Sequence, residues 1–211
     1  MKHHHQGMLF VATDIASEDE DDFNRWYDRE HVEERVAIAG FISGTRYRAR
    51  HAGRRYLGLY KTSSLEDFTS ADYHAAFTRQ TAWSVQNLQK MVNPLRRVCR
   101  IDARVGAGCG AHLAVLTCER PVTATEVRQV GEALSGRPGF VTSALLSPDE
   151  ALSTPLPKEV RVSGPLQQRV LIEASSADAV DDLARRASAA LQATAEFYCL
   201  SWQLTSQEIA S

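Results

Sequence analysis

Trp26, Tyr27 and His31 form the part of this chain best equipped for chemistry, within the stretch FNRWYDREHVEERVAIAGF that runs over residues 23–41. At helical spacing Phe23, Tyr27 and His31 recur at i, i+4 and i+8 with Trp26 beside them, while Asp28, Arg29 and Glu33 point elsewhere. An imidazole with an unperturbed pKa of about 6.5 can take or give a proton at neutral pH, so His31 is the candidate general acid/base. The plainer reading is a core histidine bonded to a backbone carbonyl. Tyr27 could hydrogen-bond a substrate oxygen or orient the imidazole, or simply pack. Asp28 could orient the His31 ring, or stay solvated on an exposed turn.

Further along, Trp26, Tyr60, Phe77 and Trp83 could wall an aromatic pocket, although aromatics at helical or strand spacing also make plain core. Arg46 and Tyr47 alternate on a strand, so one of the two faces the helices and could contact an anionic or phenolic substrate. The alternative for Arg46 is a solvated or paired strand face. His51, His74 and His112 fall where surface residues are expected.

These side chains need elements to hold them. Residues 8–15 form an apolar strand-like run. Ser17 with Glu20 has capping-box spacing before an acidic first turn, so a helix is expected from about Glu18 to just before Gly40, whose freedom permits a turn into Phe41. Residues 41–50 and 55–62 are strand-rich and pair as a hairpin around a glycine-bearing connection at 51–54. From 65 to 92 the apolar residues recur at helical intervals, with one break near Ser70 and a stop at Pro94. A strand over 95–105 ends in the glycine-rich loop 106–110, which reads as a flexible linker. The second half repeats this order: strand 112–118, helix 123–134, strand 141–146, a hydrophilic loop over about 147–166, strand 167–174, an alanine-rich helix 177–191 and strand 196–205. Two βαββαβ units predict an α+β fold of two ferredoxin-like modules, 8–105 and 111–206, joined as a pseudo-dimeric barrel within one chain. That arrangement suits a monomer; a homodimer is compatible but not required.

Composition narrows the function. The chain of 211 residues is 44% hydrophobic and 24% charged, with a formal charge of -2, as expected of a globular protein with no electrostatic bias toward nucleic acid or an anionic membrane. No apolar run reaches the roughly 18 to 20 residues needed to span a bilayer, and no signal peptide opens the chain, so a cytoplasmic location is expected. MKHHHQG reads as an appended tag before a native start at Met8, which sets His3, His4 and His5 aside as ligands. Cys99, Cys109, Cys118 and Cys199 lack C-x-x-C spacing, so reduced thiols are expected, with neither zinc nor a disulfide framework. Phosphate-loop, G-x-G-x-x-G, G-x-S-x-G and H-E-x-x-H signatures are absent, which argues against nucleotide dependence, serine hydrolysis and zinc proteolysis.

WYDREH at residues 26–31, the turn AGF at 39–41 and the pair RY at 46–47 resemble the dimeric α/β-barrel superfamily, and within it the EthD-like and NIPSNAP-like proteins. The resemblance extends over residues 8–101 and is only architectural after His112. It implies a mostly apolar pocket between helices and sheet, in a superfamily that includes cofactor-free monooxygenases of polycyclic phenols, haem-degrading enzymes, lactone isomerases, polyketide cyclases, and decarboxylases or dehydratases. Fold alone does not choose among these. The helix 123–134 has no histidine and no aromatic residue, so one pocket per chain is expected, in the first half. The leading expectation is an enzyme without organic cofactor or metal that binds a small hydrophobic or aromatic substrate. His31, assisted by Tyr27, would act as general acid/base in isomerisation, cyclisation, dehydration or decarboxylation of an aromatic or polyketide-like molecule. The alternatives are a monooxygenase acting on a phenol or on haem, and a non-catalytic ligand-binding or assembly protein.

Overall fold

The computed structural model describes residues 5–51, 53–160 and 163–209. His3 and His4, in the stretch read as a tag, Ala52 of the hairpin connection and residues 161–162 of the long loop lie outside the described residues. In the first half, β1 (Gly7–Asp14) leads through a 3-10 turn into α1 (Glu20–Trp26), a π turn (Tyr27–His31) and α2 (Val32–Val36). Then come β2 (Phe41–Ala49), β3 (Tyr56–Thr62), α3 (Ala71–Thr78), α4 (Ala82–Lys90) and β4 (Val92–Gly106). The second half contributes β5 (His112–Cys118), α5 (Ala124–Ser135), β6 (Phe140–Pro148), β7 (Arg169–Ala174), α6 (Ala177–Leu191) and β8 (Ala193–Thr205). A last turn, α7 (Ser206–Ile209), was not expected from the sequence.

The strands close into one antiparallel barrel in the order β1-β3-β2-β8-β5-β7-β6-β4. The halves meet edge to edge, β2 with β8 (Arg46 opposite Trp202) and β4 with β6, so neither half keeps an open edge. The period of two sorts side chains between the two faces of the sheet. Phe10, Tyr47, Leu57, Leu113, Leu146 and Leu171 fill the lumen. Leu9, Val11, Tyr60 and Val98 face the helices of the first half instead, and Leu116, Val170 and Ile172 face those of the second.

Four local details differ from expectation. Ser17 and Glu20 do not form a capping box: Ser17–Asp19 is a 3-10 turn without a side-chain cap. The Glu20 carboxylate turns to the sheet, where it accepts from the Tyr56 hydroxyl, from Arg55 at 2.7 Å and from Arg48 at 3.2 Å; two cations and a phenol outcompete a backbone amide. The helical stretch breaks twice, at Ser70 and again before Ala82, each time at an N-cap: Ser70 Oγ accepts from the Tyr73 amide at 3.1 Å, and Thr81 Oγ1 from the Ser84 amide at 3.0 Å. Pro94 does not stop a helix. α4 already ends at Lys90, and Pro94 lies inside β4 where the register with β1 shifts between Ala12 and Asp14, a bulge in which a missing N–H is tolerated. The glycine-rich linker is fastened to β7, because the Gly110 amide donates to the Glu173 carboxylate at 2.6 Å. Gly40 takes the expected turn with φ +89°, in the region that favours glycine.

Candidate functional site

The π turn builds the site. Widening the helix by one residue brings positions five apart into line, and the Trp26 and His31 rings meet with centroids 4.3 Å apart and planes tilted by 34°. Tyr27 meets both rings edge-on, 4.8 Å from Trp26 and 5.0 Å from His31, and Tyr60 of β3 stands perpendicular to the imidazole at 6.2 Å. All four are buried.

Contacts from two sides hold the turn. Glu30 accepts from Thr81 Oγ1 at 2.6 Å and Ser84 Oγ at 3.1 Å, at the N-terminus of α4, where the helix dipole favours a carboxylate. Ser84 Oγ in turn accepts from the Trp26 indole at 3.0 Å. Below, Arg46 donates to Asp28 at 2.5 Å and to Asn24 at 3.0 Å, and its guanidinium lies 4.3 Å over the Tyr27 ring. Trp202 of β8 donates to the same Asp28 oxygen at 2.8 Å, so the second half of the chain braces the first.

His31 faces a small cavity of about 50 Å³ whose walls include Tyr27, Tyr60, Arg35, Phe77 and Met91. That is room for little more than one water, whose share of liquid volume is about 30 Å³. Phe77, 42% exposed, is on its outer side. A strap from the second half also reaches it. Leu156 lines the cavity, and Arg96, another lining residue, donates to the carbonyls of Leu152 at 2.8 Å and Thr154 at 3.1 Å and to the Tyr73 hydroxyl at 2.9 Å. Beside it, Arg97 and Glu159 form a buried ion pair.

The electrostatics are one-sided. Arg35 is 3% exposed; it lies 5.2 Å over the Phe77 ring and donates at 3.4 Å to the Ala76 carbonyl, while its Nε has no partner. Among the described residues no carboxylate forms an ion pair with it. Burial first, and then the positive charges of Arg35 and Arg46, hold the His31 imidazole well below the usual histidine range. His31 is therefore neutral at neutral pH, a proton acceptor and hydrogen-bonding group, and not the untuned acid and base expected from its type. Its Nδ1 is sealed without a hydrogen-bond partner. Burial pushes the Tyr27 and Tyr60 phenols above their ordinary range, so both are neutral donors. Tyr60 Oη makes no well-formed hydrogen bond, and its polar neighbour is the Tyr27 hydroxyl.

The expected site residues are thus partly assembled. Tyr27, His31, Tyr60 and Phe77 line the cavity, with Trp26 behind the imidazole. On β2, Arg46 faces the helices but is spent on Asp28, Asn24 and the Tyr27 ring, whereas Tyr47 points into the lumen. Asp28 serves Arg46 and Trp202 and makes no hydrogen bond to His31. Trp83 packs outside the cavity with its indole on Asp22 at 3.1 Å. Sequence reading missed Arg35, Arg96 and Leu156. Arg35 had a signal, since it continues the four-residue series Phe23, Tyr27, His31. Arg96 and Leu156 arrive only through tertiary folding.

No protein-family model and no curated protein sequence matches the chain. Solved structures do match over nearly its whole length. An anthrone oxidase-like protein superposes with a TM-score of 0.60 at 12% identity, covering 97% of this chain and 94% of that one. A candidate monooxygenase from Lactobacillus acidophilus NCFM gives 0.59 at 8% identity, with 96% and 97% covered. A mutant chlorite dismutase from Candidatus Nitrospira defluvii gives 0.55 at 11%, with 99% and 95% covered. Identities this low establish the fold alone: a dimeric α/β barrel completed within one chain.

Proposed function

We propose that the chain is a small-molecule enzyme in which neutral His31 accepts a proton from an aromatic or polyketide-like substrate while Arg35, Tyr27 and Tyr60 hold the oxyanion that forms. The observation that carries this reading is the buried Arg35 guanidinium, which closes no ion pair among the described residues, with Glu34 its nearby but unpaired acidic neighbour, beside a buried imidazole with an unpartnered nitrogen. Burying a cation without an anion is costly, and an anion arriving in the cavity offsets that cost. The charges also couple. As negative charge develops next to Arg35, the repulsion that depresses His31 is cancelled, so the imidazole grows more basic as the proton reaches it. An enolate or phenolate held this way leads to isomerisation, cyclisation, dehydration or decarboxylation without an organic cofactor. Phe77 and Leu156 are the side chains that must move to admit a ring.

Replacing His31 with alanine or asparagine should lower turnover at least about a hundredfold if proton transfer is general-base catalysed. Near-normal turnover in a folded variant would leave only a ligand-binding role.

A second reading is supported by the anthrone oxidase-like and monooxygenase-like fold neighbours. The same deprotonated aromatic could pass electrons to dioxygen, taking up one oxygen atom and releasing the other as water. Oxygen consumption with anthrone-type or phenolic substrates separates this from a redox-neutral reaction.

A further inference from the structure

The barrel holds a second cavity, well above the size of the one beside His31. It lies at one end of the lumen, on the opposite face of the sheet, and has a volume of about 340 Å³, inside the roughly 300–1,000 Å³ range of small-molecule sites. Strand alternation separates the two: Tyr60 lines the helix-side cavity, and its neighbour Lys61 lines this one. The apolar lining includes Met8, Leu59, Ile101 and Leu171. The charged lining is Lys61, Arg104 and Glu173.

Glu173 acts electrostatically on both Arg104 and Lys61 but closes no ion pair with either. Glu173 accepts from the Gly110 amide at 2.6 Å, and Cys109 and Thr142 also bond it. Among the described residues, neither Lys61 nor Arg104 has a carboxylate within ion-pairing distance. Burial, and next the like charge of Arg104, push the Lys61 ammonium below the usual lysine range. An anion between the two cations relieves both effects, and the apolar lining accommodates an uncharged body. We infer that this end of the barrel is a second binding site, for the carboxylate of a small amphipathic organic acid, with Lys61 and Arg104 on the carboxylate and Leu59, Ile101 and Leu171 around the apolar portion.

Cys109 provides a built-in reporter, since its exposed thiol lines the same cavity 4.0 Å from the Tyr47 hydroxyl. The test titrates the full chain with sodium octanoate by calorimetry and follows Cys109 alkylation by iodoacetamide with peptide mass spectrometry. Saturable binding of one octanoate per chain is expected, with alkylation slowed at least about threefold. Binding should be at least about tenfold weaker in a K61M/R104M double variant, for loss of charge-assisted hydrogen bonds, and unchanged in H31A. Cys109 protection in the unmodified chain keeps the test decisive should the double variant fail to fold. No saturable binding, equal affinity in the folded double variant, unprotected Cys109, or loss of binding in H31A would each overturn the assignment. Inorganic phosphate binding as tightly as octanoate would overturn the organic-acid class.

Discussion

His31 is neutral because its surroundings are dry and cationic, and after burial Arg35 is the largest cause of its lowered proton affinity. Arg35→Met removes one of the two repelling charges, so the imidazole pKa should rise toward, without reaching, about 6.5, because burial remains the largest cause of the depression. Arg35→Lys, which keeps the charge, should leave it nearly in place. An NMR titration of the His31 ring checks this without a substrate. An unmoved titration in Arg35→Met would remove the coupling on which the proposed mechanism depends. The same depression affects stability. Its folded pKa lies below the unfolded value, so the contribution is present above about pH 6.5 and is lost as pH falls toward the folded pKa, because only the unfolded chain takes up the proton in that window. His31→Gln should therefore flatten the acid limb of stability against pH, measured by urea unfolding at successive pH values. A limb as steep as that of the unmodified chain would mean that other groups account for it.

At the scale of elements, the π turn aligns Trp26 with His31, and it is the part of the site that could not be read from the chain. The stripe Phe23, Tyr27, His31 was legible because a four-residue repeat keeps side chains on one helical face. The extra residue in the turn depends on Glu30 being captured by Thr81 and Ser84, 51 and 54 residues away, and no local propensity encodes that. The same limit explains the missed break before Ala82 and the role given to Pro94, since a cap and a bulge are defined by what the strand or helix meets. The order of elements along the chain and a barrel completed within it, in contrast, were legible in the period-two runs and their repetition. Deleting exposed Arg29 tests the turn directly. Removing one residue closes the turn into a plain α-helix in which Trp26 and His31 stand four apart, about 40° around the helix at 3.6 residues per turn, so their contact is kept. The variant should keep its far-UV dichroism and its activity to within about tenfold, far from the roughly hundredfold loss expected of H31A. A loss as deep as that of H31A would show that the π geometry itself, beyond the contact it makes, is required.

The whole molecule joins its halves by more than barrel closure. The second half contains no counterpart of the aromatic and histidine cluster, yet it supplies Trp202 beneath the π turn and Leu156 against the cavity. Glu159 ties this strap down: besides pairing with Arg97, it accepts from the Arg96 amide at 3.1 Å and the Leu156 amide at 3.0 Å. Both side chains of the pair are almost fully buried, at 8% and 3% exposure, so removing one charge leaves the other without compensation. Glu159→Gln should cost about 3–5 kcal/mol, the range for breaking a buried pair from one side. Because β2–β8 and β4–β6 make the barrel continuous, that loss should appear as one cooperative transition at lower denaturant and not as separate unfolding of a loop. Intrinsic fluorescence and far-UV dichroism, followed together through a urea titration, check this. Coincident curves shifted to lower urea would make the strap part of the folded unit. An unshifted dichroism curve beside an early fluorescence change would instead make it a detachable cover over the His31 cavity.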